Sequence, residues 1–307
     1  MLFRSRYDLA TDQEASDDLR TFAQSEFGVV AQRRYLQAPE ESLLDRLISR
    51  ASGLFIFIKT LALALERCAD PADFLKATAE EAGAGLKPLY GLYSQILNSR
   101  IVHSNAKFRR VIGVLLTVAP YRALCDETIA ELAGAYPNLV KRWMDGLSSL
   151  LHRGTNGEIR VRHLSISEFF HSNDCPSKYR IDPTDANIHL GIVCLETMIS
   201  KLRFNICGLE DSRVANTDVK DLQSRITENI SDALQYSSLY WSDHLCFTPD
   251  DHDREVWKSL EEFFLGLCPL FWSEVLSILG RVPIGAPSIR KLTSWAKVSS
   301  SSNLYSG

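Results

Sequence analysis

The sequence predicts a mainly α-helical protein that contains one small β-hairpin. Apolar residues recur at helical spacing along most of the 307 residues, as in the stretch LLDRLI at 43–48. One short stretch, EIRV at 158–161, instead alternates between polar and apolar residues, and it follows an Asn156-Gly157 turn signal. Hydrophobic residues make up 45% of the chain, which is enough to form sizeable cores.

Composition limits the classes of partner. The net charge of −4 and the isoelectric point near 6.0 argue against nucleic acid as the partner, because such binders usually carry a basic face. The longest apolar stretch, LFIFIKTLALAL, has twelve residues and includes Lys59, so it is too short to cross a membrane. The seven cysteines are scattered singly and no secretory signal opens the chain, which indicates mostly buried, reduced thiols in a cytoplasmic protein.

The first two segments of the chain are predicted to be helical. Residues 1–38 contain one helix that begins at Asp12 or Ser16 and ends at Gly28. Residues 39–103 form four short helices, with Pro39 and two glutamates at the first N-terminus. Gly53 separates the first two helices of this segment, and a Gly-Ala-Gly turn at 83–85 separates the last two.

Residues 104–175 predict a winged helix-turn-helix. Pro120 ends the first helix, Asp126 caps the second, which Gly134 ends, and PNLVKRWMDGLSSLLHRG forms the third. The stretch TNGEIRVRHL at 155–164, with its turn at Asn156-Gly157 and its alternating strand, follows as the β-hairpin of the wing. Residues 176–285 predict a helical bundle of three apolar blocks, and residues 286–307 a partly disordered tail with one further helical block.

A winged helix raises DNA binding as one alternative function. The third helix carries only Lys141 and Arg142 as basic residues, and the wing adds Arg153, Arg160 and Arg162. Because neutralising phosphates takes several cationic contacts, this patch is weak, and a winged helix that contacts protein or ligand is favoured.

No residue pattern indicates catalysis. His163, Ser165 and Glu168 are too close in sequence to form a triad by themselves, and there is no GxSxG. The seven histidines lack HExxH or any paired spacing, and His171, His189 and His244 are interpreted as surface or core residues. The sequence contains no GxxxxGK[ST], so it has no phosphate cradle of that type.

Five stretches in order resemble the fungal NACHT-type signalling ATPases, which are large switch proteins of the STAND class. These stretches are RASGLFIFIKTLA at 50–62, LYGLYSQIL at 89–97, RHLSISEFF at 162–170, LQYSSLYWSDHL at 234–245 and WSEVLSILG at 272–280. Together they cover roughly residues 40–285. The resemblance makes 1–38 the end of a nucleotide-binding domain, with Arg4 or Arg6 as a sensor arginine, and 39–103 a helical lid.

The resemblance also implies site residues and a ligand. In that family a P-loop domain holds ADP, and a winged-helix histidine, here His163, bonds its phosphates. Gly53 and Phe55 occupy the family's turn against the base, although Phe55 replaces a common proline. The P-loop and the Mg²⁺-binding acid are missing from these residues, so we expect no enzyme activity and no ADP or ATP bound by this chain alone. The chain then resembles the middle of a longer, truncated switch protein.

The leading hypothesis is therefore a non-catalytic regulatory and protein-interaction part of a NACHT-type signal-transduction protein. Its partners would be the P-loop domain or other domains of a longer chain. The alternatives are a winged-helix DNA-binding regulator and a residual ADP/ATP-binding switch. Aromatic residues on the C-terminal helices would supply a docking face, unless they form ordinary core: Tyr236, Tyr240, Trp241, Phe263, Phe264, Phe271 and Trp272.

Overall fold

The structure is a computed structural model that describes residues 13–34, 36–80, 86–101, 106–211, 213–247 and 254–302, with side chains between 16 and 297. Arg4, Arg6, Asp12 and the predicted turn at 83–85 lie outside the described residues. Where the chain is described, it is mainly helical and forms one two-stranded sheet, so the predicted fold class is confirmed.

Fifteen α-helices and two β-strands occur in the described residues. The helices before the sheet are α1 Gln13–Arg34, α2 Glu41–Ala51, α3 Phe55–Leu65, α4 Pro71–Glu80, α5 Lys87–Arg100, α6 Ala106–Val118, α7 Asp126–Leu132 and α8 Pro137–Gly146. The strands are β1 Leu151–Arg153 and β2 Ile159–Val161. The later helices are α9 Leu164–His171, α10 Pro183–Lys201, α11 Leu222–Asn229, α12 Asp232–Leu245, α13 Arg254–Leu265, α14 Cys268–Ile278 and α15 Gly285–Ser302.

The chain divides into two compact units. The first comprises the described residues within 1–105, 141–154 and 159–180, and the second those within 106–140, 155–158 and 181–307. The segment 104–175, which the sequence predicts to be a winged helix, contributes to both units. The predicted boundaries at 38, 103, 175 and 285 and the winged helix itself stay predictions.

In the first unit, helices α1 to α5 pack together with the hairpin and α9. Helix α1 lies against α2 and α3, α5 contacts α3 and α9, and α9 follows β2 directly. The strands pair antiparallel, with Leu151 opposite Val161, and Gly157 has φ +82° in the connecting turn. This positive φ favours glycine, as the Asn-Gly signal predicts. Leu151 and Ile159 lie on the same face of the hairpin, and both are buried.

In the second unit, α10 and α12 pack closely, and α6, α7, α13 and α14 surround them. Gly191 on α10 permits this approach: a Cβ built there would lie 2.5 Å from Leu245 Cδ2 on α12. The aromatic core of this unit includes Phe108, Tyr236, Trp241, Phe263 and Trp272.

Three element boundaries differ from the predictions. Helix α1 continues through Gly28 to Arg34, because Phe27 and Val30 extend its buried face past the glycine. Asp126 is the first residue of α7, and Cys125 occupies its N-cap position without a side-chain cap. The third predicted helix ends at Gly146, because Leu151–Arg153 pairs as a strand.

The C-terminal half contains more elements than the sequence predicts. The block EVWKSLEEFFLGLCPLFWSEVLSILG divides into α13 and α14, since Gly266 separates them and a proline lies in the first turn of α14. The sequence did not predict helix α11. Helix α15 continues through the Ser-rich segment to Ser302. No described helix combines the length and apolar character that crossing a membrane requires.

Candidate functional site

His163 lies at the N-terminus of α9 and is exposed to solvent. Its backbone is extended, with φ −153° and ψ 147°, as an N-cap residue requires. The ring replaces the usual Ser or Asp oxygen as the cap, because its Nδ1 accepts a hydrogen bond from the backbone N–H of Ser165 at 3.2 Å. The hydroxyl oxygen of Ser165 lies 2.7 Å from the same nitrogen.

These contacts fix the tautomer of the neutral ring. A backbone N–H can only donate, so Nδ1 must present its lone pair, and the ring proton lies on Nε2. The Ser165 hydroxyl therefore donates to Nδ1 as well. Nε2–H has no acceptor among the described residues, so His163 presents one outward-facing donor.

Tyr93 anchors this arrangement to the core of the first unit. Its hydroxyl oxygen lies 2.8 Å from the hydroxyl oxygen of Ser165, and both side chains are buried. Since Ser165 donates to His163, Tyr93 donates to Ser165. Burial raises the pKa of Tyr93 to about 12, although the bond to Ser165 opposes this, so the phenol stays a donor at neutral pH. Phe169 packs its ring 5.4 Å from that of Tyr93.

Glu168 makes no hydrogen bond to His163 among the described residues. Glu168 is exposed, and Ser165, not Glu168, is the polar partner of His163. Five residues along the chain from the cap, Glu168 lies on a different face of the helix. Among the described residues no carboxylate orients the His163 ring, and Ser165 is only 3% exposed, so this group lacks the accessible nucleophile and the acid of a triad.

Gly53 and Phe55 lie in the same unit, at the turn between α2 and α3. Gly53 has φ +79° and follows Ser52 at φ 48°, so the chain reverses through two left-handed residues. Phe55 begins α3 and is 42% exposed, with its ring 5.3 Å from that of Phe22. Among the described residues, no hydrogen bond or ring contact joins either of them to His163.

The residues considered for DNA binding are partly occupied by ion pairs. Lys141 lies 3.4 Å from Asp145 across one helical turn, and Arg153 lies 3.0 Å from the same carboxylate. This carboxylate therefore offsets part of the positive charge of α8 and the hairpin, where Arg142 and Arg160 are exposed.

Most of the aromatic residues considered for docking are core residues, as the simpler interpretation holds. Tyr236, Trp241, Phe263 and Trp272 are buried. The indole N–H of Trp272 donates to the Ser238 carbonyl at 2.8 Å, which satisfies its polar group inside the core. Phe264 is 41% exposed, and Tyr240 and Phe271 are partly exposed.

The potential metal ligands and the cysteines of the described residues do not meet the requirements of a metal site or a disulfide bond. The described part of the chain contains no group of three or more His, Cys, Asp or Glu side chains able to hold a metal ion. All seven cysteines are described and free, and four of them are buried.

No protein-family model matches this chain, and no curated protein or solved structure is significantly similar to it. The likeness to NACHT-type proteins therefore rests on the sequence motifs quoted above.

Two sets of polar contacts, one at the site and one in the second unit, were not predicted from the sequence. The link between Tyr93 and Ser165 joins two motifs that are 72 residues apart, and no local pattern predicts it. The ring of His244, interpreted as a surface or core histidine, bonds Asn187 at 3.0 Å and Tyr236 at 2.8 Å inside the second unit. Tyr236 and His244 are eight residues apart on an apolar face of the same helix. This spacing was the signal in the sequence that could have predicted their contact.

Proposed function

We propose that this chain is a non-catalytic regulatory part of a NACHT-type switch protein, in which His163 contacts a nucleotide phosphate held by another domain. The observation that carries the proposal is the Tyr93–Ser165–His163 chain of hydrogen bonds. It joins LYGLYSQIL and RHLSISEFF, two of the five motifs that carry the resemblance, and it fixes the histidine as an outward donor.

The chemistry of this donor suits such a role. A neutral imidazole with its proton on Nε2 can donate one hydrogen bond to a phosphate oxygen, and its capped Nδ1 prevents the ring from turning over. A contact made in only one of two domain arrangements lets a nucleotide shift the balance between them. Gly53 and Phe55 suit the base of that nucleotide, since the glycine turn admits close approach and the ring of Phe55 is partly exposed.

Hydrolysis by this chain alone does not follow from its residues. Phosphoryl transfer needs a backbone cradle, a lysine and a bound metal, and the 307 residues contain no GxxxxGK[ST]. Cytoplasmic location and the binding of protein partners belong to the same proposal.

The proposal has a direct test in two parts. Titration of the isolated chain with ADP and Mg²⁺ should release no heat, and ATP should not turn over. Transcripts that include the Met1 codon should encode an in-frame GxxxxGK[ST] segment upstream. In the protein containing both parts, His163→Ala should weaken ADP binding roughly tenfold, as expected for one lost hydrogen bond to a charged group.

Leu164→Ala is the matched control, because Leu164 is the next residue, is 69% exposed and offers no donor. The proposal is wrong if no upstream segment encodes a P-loop, or if His163→Ala and Leu164→Ala bind ADP equally well. Heat from ADP on the isolated chain would instead favour the alternative of a residual nucleotide-binding switch.

A further inference from the structure

A small pocket in the first unit is lined by an excess of positive charge. It lies beside the β-hairpin and the end of α8, with a volume of about 200 Å³. Three arginines line it, Arg67, Arg153 and Arg162, together with the single carboxylate Asp145. The lining therefore carries an excess of two positive charges.

The Asp145 carboxylate pairs with Arg153 and Lys141 and makes no ion pair with Arg67 or Arg162 among the described residues. Arg153 donates to its carboxylate at 3.0 Å, and Lys141 lies 3.4 Å from it. Burial acts to raise the pKa of Asp145, but the bonds and charges of Arg153 and Lys141 prevail and lower it. Among the described residues, the Arg67 guanidinium donates a hydrogen bond to the backbone carbonyl of Asp145 alone, at 3.3 Å.

The guanidinium group of Arg162 is held rigidly at the pocket wall. Its Nε donates to the carbonyls of Ser148 and Leu151, at 3.0 Å each, and its backbone N–H donates to the Leu150 carbonyl. Its two Nη groups donate to no described residue. Because these bonds already hold the guanidinium fork in place, binding a ligand there costs little further side-chain entropy.

Arg67 and Arg162 lie close enough for their charges to affect each other. Burial lowers the pKa of Arg162, and the nearby charge of Arg67 lowers it further, whereas Glu66 acts in the opposite direction. Both side chains are exposed, and two guanidinium groups that repel each other gain from any anion that lies between them.

We propose that this pocket, formed by Arg67, Arg153 and Arg162, binds a phosphate-type oxyanion. Planar guanidinium forks match the oxygens of a tetrahedral phosphate, and the pocket is large enough for one such group. The ligand is either free inorganic phosphate or the phosphate group of a small monoester, since both present the same oxygens. The inference is independent of the proposed function, which assigns no role to these three arginines.

The test is a titration of the full chain with phosphate compounds. Binding is monitored through the NMR signals of the arginine side chains. The probes are inorganic phosphate, pyrophosphate and O-phosphoserine, first at low ionic strength and then at about 0.15 M salt. At least one probe should shift the Arg67 and Arg162 signals in a saturable way, with a Kd of about 10 mM or tighter. Saturation by O-phosphoserine indicates a monoester as the ligand, and saturation by the inorganic probes alone indicates free phosphate.

Substitutions locate the site. Arg67→Gln and Arg162→Gln should each weaken binding about tenfold, because each removes a charged hydrogen-bond donor. Arg213→Gln in the second unit is the matched control, since its pair with Asp211 is exposed and the charge change is the same. If Arg162→Gln fails to fold, Arg67→Gln still decides the question, because the Arg67 side chain makes a single long hydrogen bond to the part of the chain that the structure describes.

Two outcomes overturn the proposal. One is the absence of a saturable shift with all three probes. The other is an equal loss of binding in Arg213→Gln, which would mean that phosphate affinity depends only on the net charge of the protein. If the first outcome is accompanied by binding of duplex DNA that is lost in a Lys141→Gln, Arg142→Gln double variant, the DNA-binding alternative is favoured.

Discussion

The hydroxyl oxygens of Tyr93 and Ser165 lie 2.8 Å apart in the core of the first unit, although 72 residues separate them in the chain. This contact ties helix α5 to the first turn of α9. It also determines the direction of the Ser165 hydroxyl, which in turn holds His163. A buried pair of hydroxyl groups is therefore coupled to an exposed imidazole.

The coupling predicts unequal effects of two substitutions. Ser165→Ala leaves the buried Tyr93 hydroxyl without its partner, and we expect a loss of about 1–3 kcal/mol in the free energy of unfolding. Tyr93→Phe removes the donor itself, and we expect a smaller loss of about 1 kcal/mol. Urea unfolding of both single variants and the double variant measures the interaction, and strictly additive losses would contradict the coupling.

The helical elements around this contact were predictable because they depend on local spacing. Gly53 and Gly157 lie at positive φ in turns, and α6 ends just before Pro120, as their positions in the sequence predict. Gly28 was misleading, since a buried stripe on both sides of it keeps α1 continuous. Tertiary burial, which no single window of sequence contains, decided that boundary.

The polar contacts of the site depend still more on tertiary structure. His163 was identifiable from its motif, but its Nε2–H tautomer depends on the Ser165 contacts and its anchoring on Tyr93. The pocket of Arg67, Arg153 and Arg162 brings together residues from three separate segments. Sequence analysis found only its two hairpin arginines, as part of a weak basic patch.

Two buried helix glycines predict opposite responses to alanine. A Cβ at Gly191 would lie 2.5 Å from Leu245 Cδ2 and 2.8 Å from its Cγ, so Gly191→Ala should cost about 1–3 kcal/mol of stability. A Cβ at Gly113 would lie 3.5 Å from that of Ala186, an ordinary contact. Gly113→Ala should therefore gain up to about 1 kcal/mol from helix propensity. Thermal unfolding of the two variants compares them, and similar melting temperatures would contradict this packing.

The buried thiols predict selective labelling. Burial raises the pKa of Cys175 and of Cys194 to about 12, so their reactive thiolates are scarce in the folded protein. A thiol-specific chromogenic reagent at mildly alkaline pH should label at most the three partly exposed cysteines, 125, 246 and 268. The same reagent in urea should label all seven. Rapid labelling of Cys194 in the native protein, located by mass spectrometry, would contradict the packing of α10.

The buried His244 predicts a loss of stability in weak acid. It is fully buried, its Nε2 lies 2.8 Å from the Tyr236 hydroxyl, and its Nδ1 lies 3.0 Å from the side-chain oxygen of Asn187. Burial lowers its pKa to about 4, with a small opposing effect of Asp243. The unfolded chain binds a proton near the ordinary value of about 6.5, so protonation favours unfolding as the pH falls below that value.

The size of this loss follows from the shift. For His244 alone, the free energy of unfolding should fall by roughly 2 kcal/mol between about pH 7 and pH 5, and by roughly 3 kcal/mol once the pH falls below 4. Partly buried His189, whose pKa burial and the charge of Arg110 also lower to about 4, contributes to the same loss between pH 7 and pH 5. Urea unfolding at the two pH values measures the loss. In His244→Gln, which keeps hydrogen-bonding groups but cannot titrate, the loss should be about half that of the wild type. An unchanged pH dependence would mean that other groups control acid unfolding.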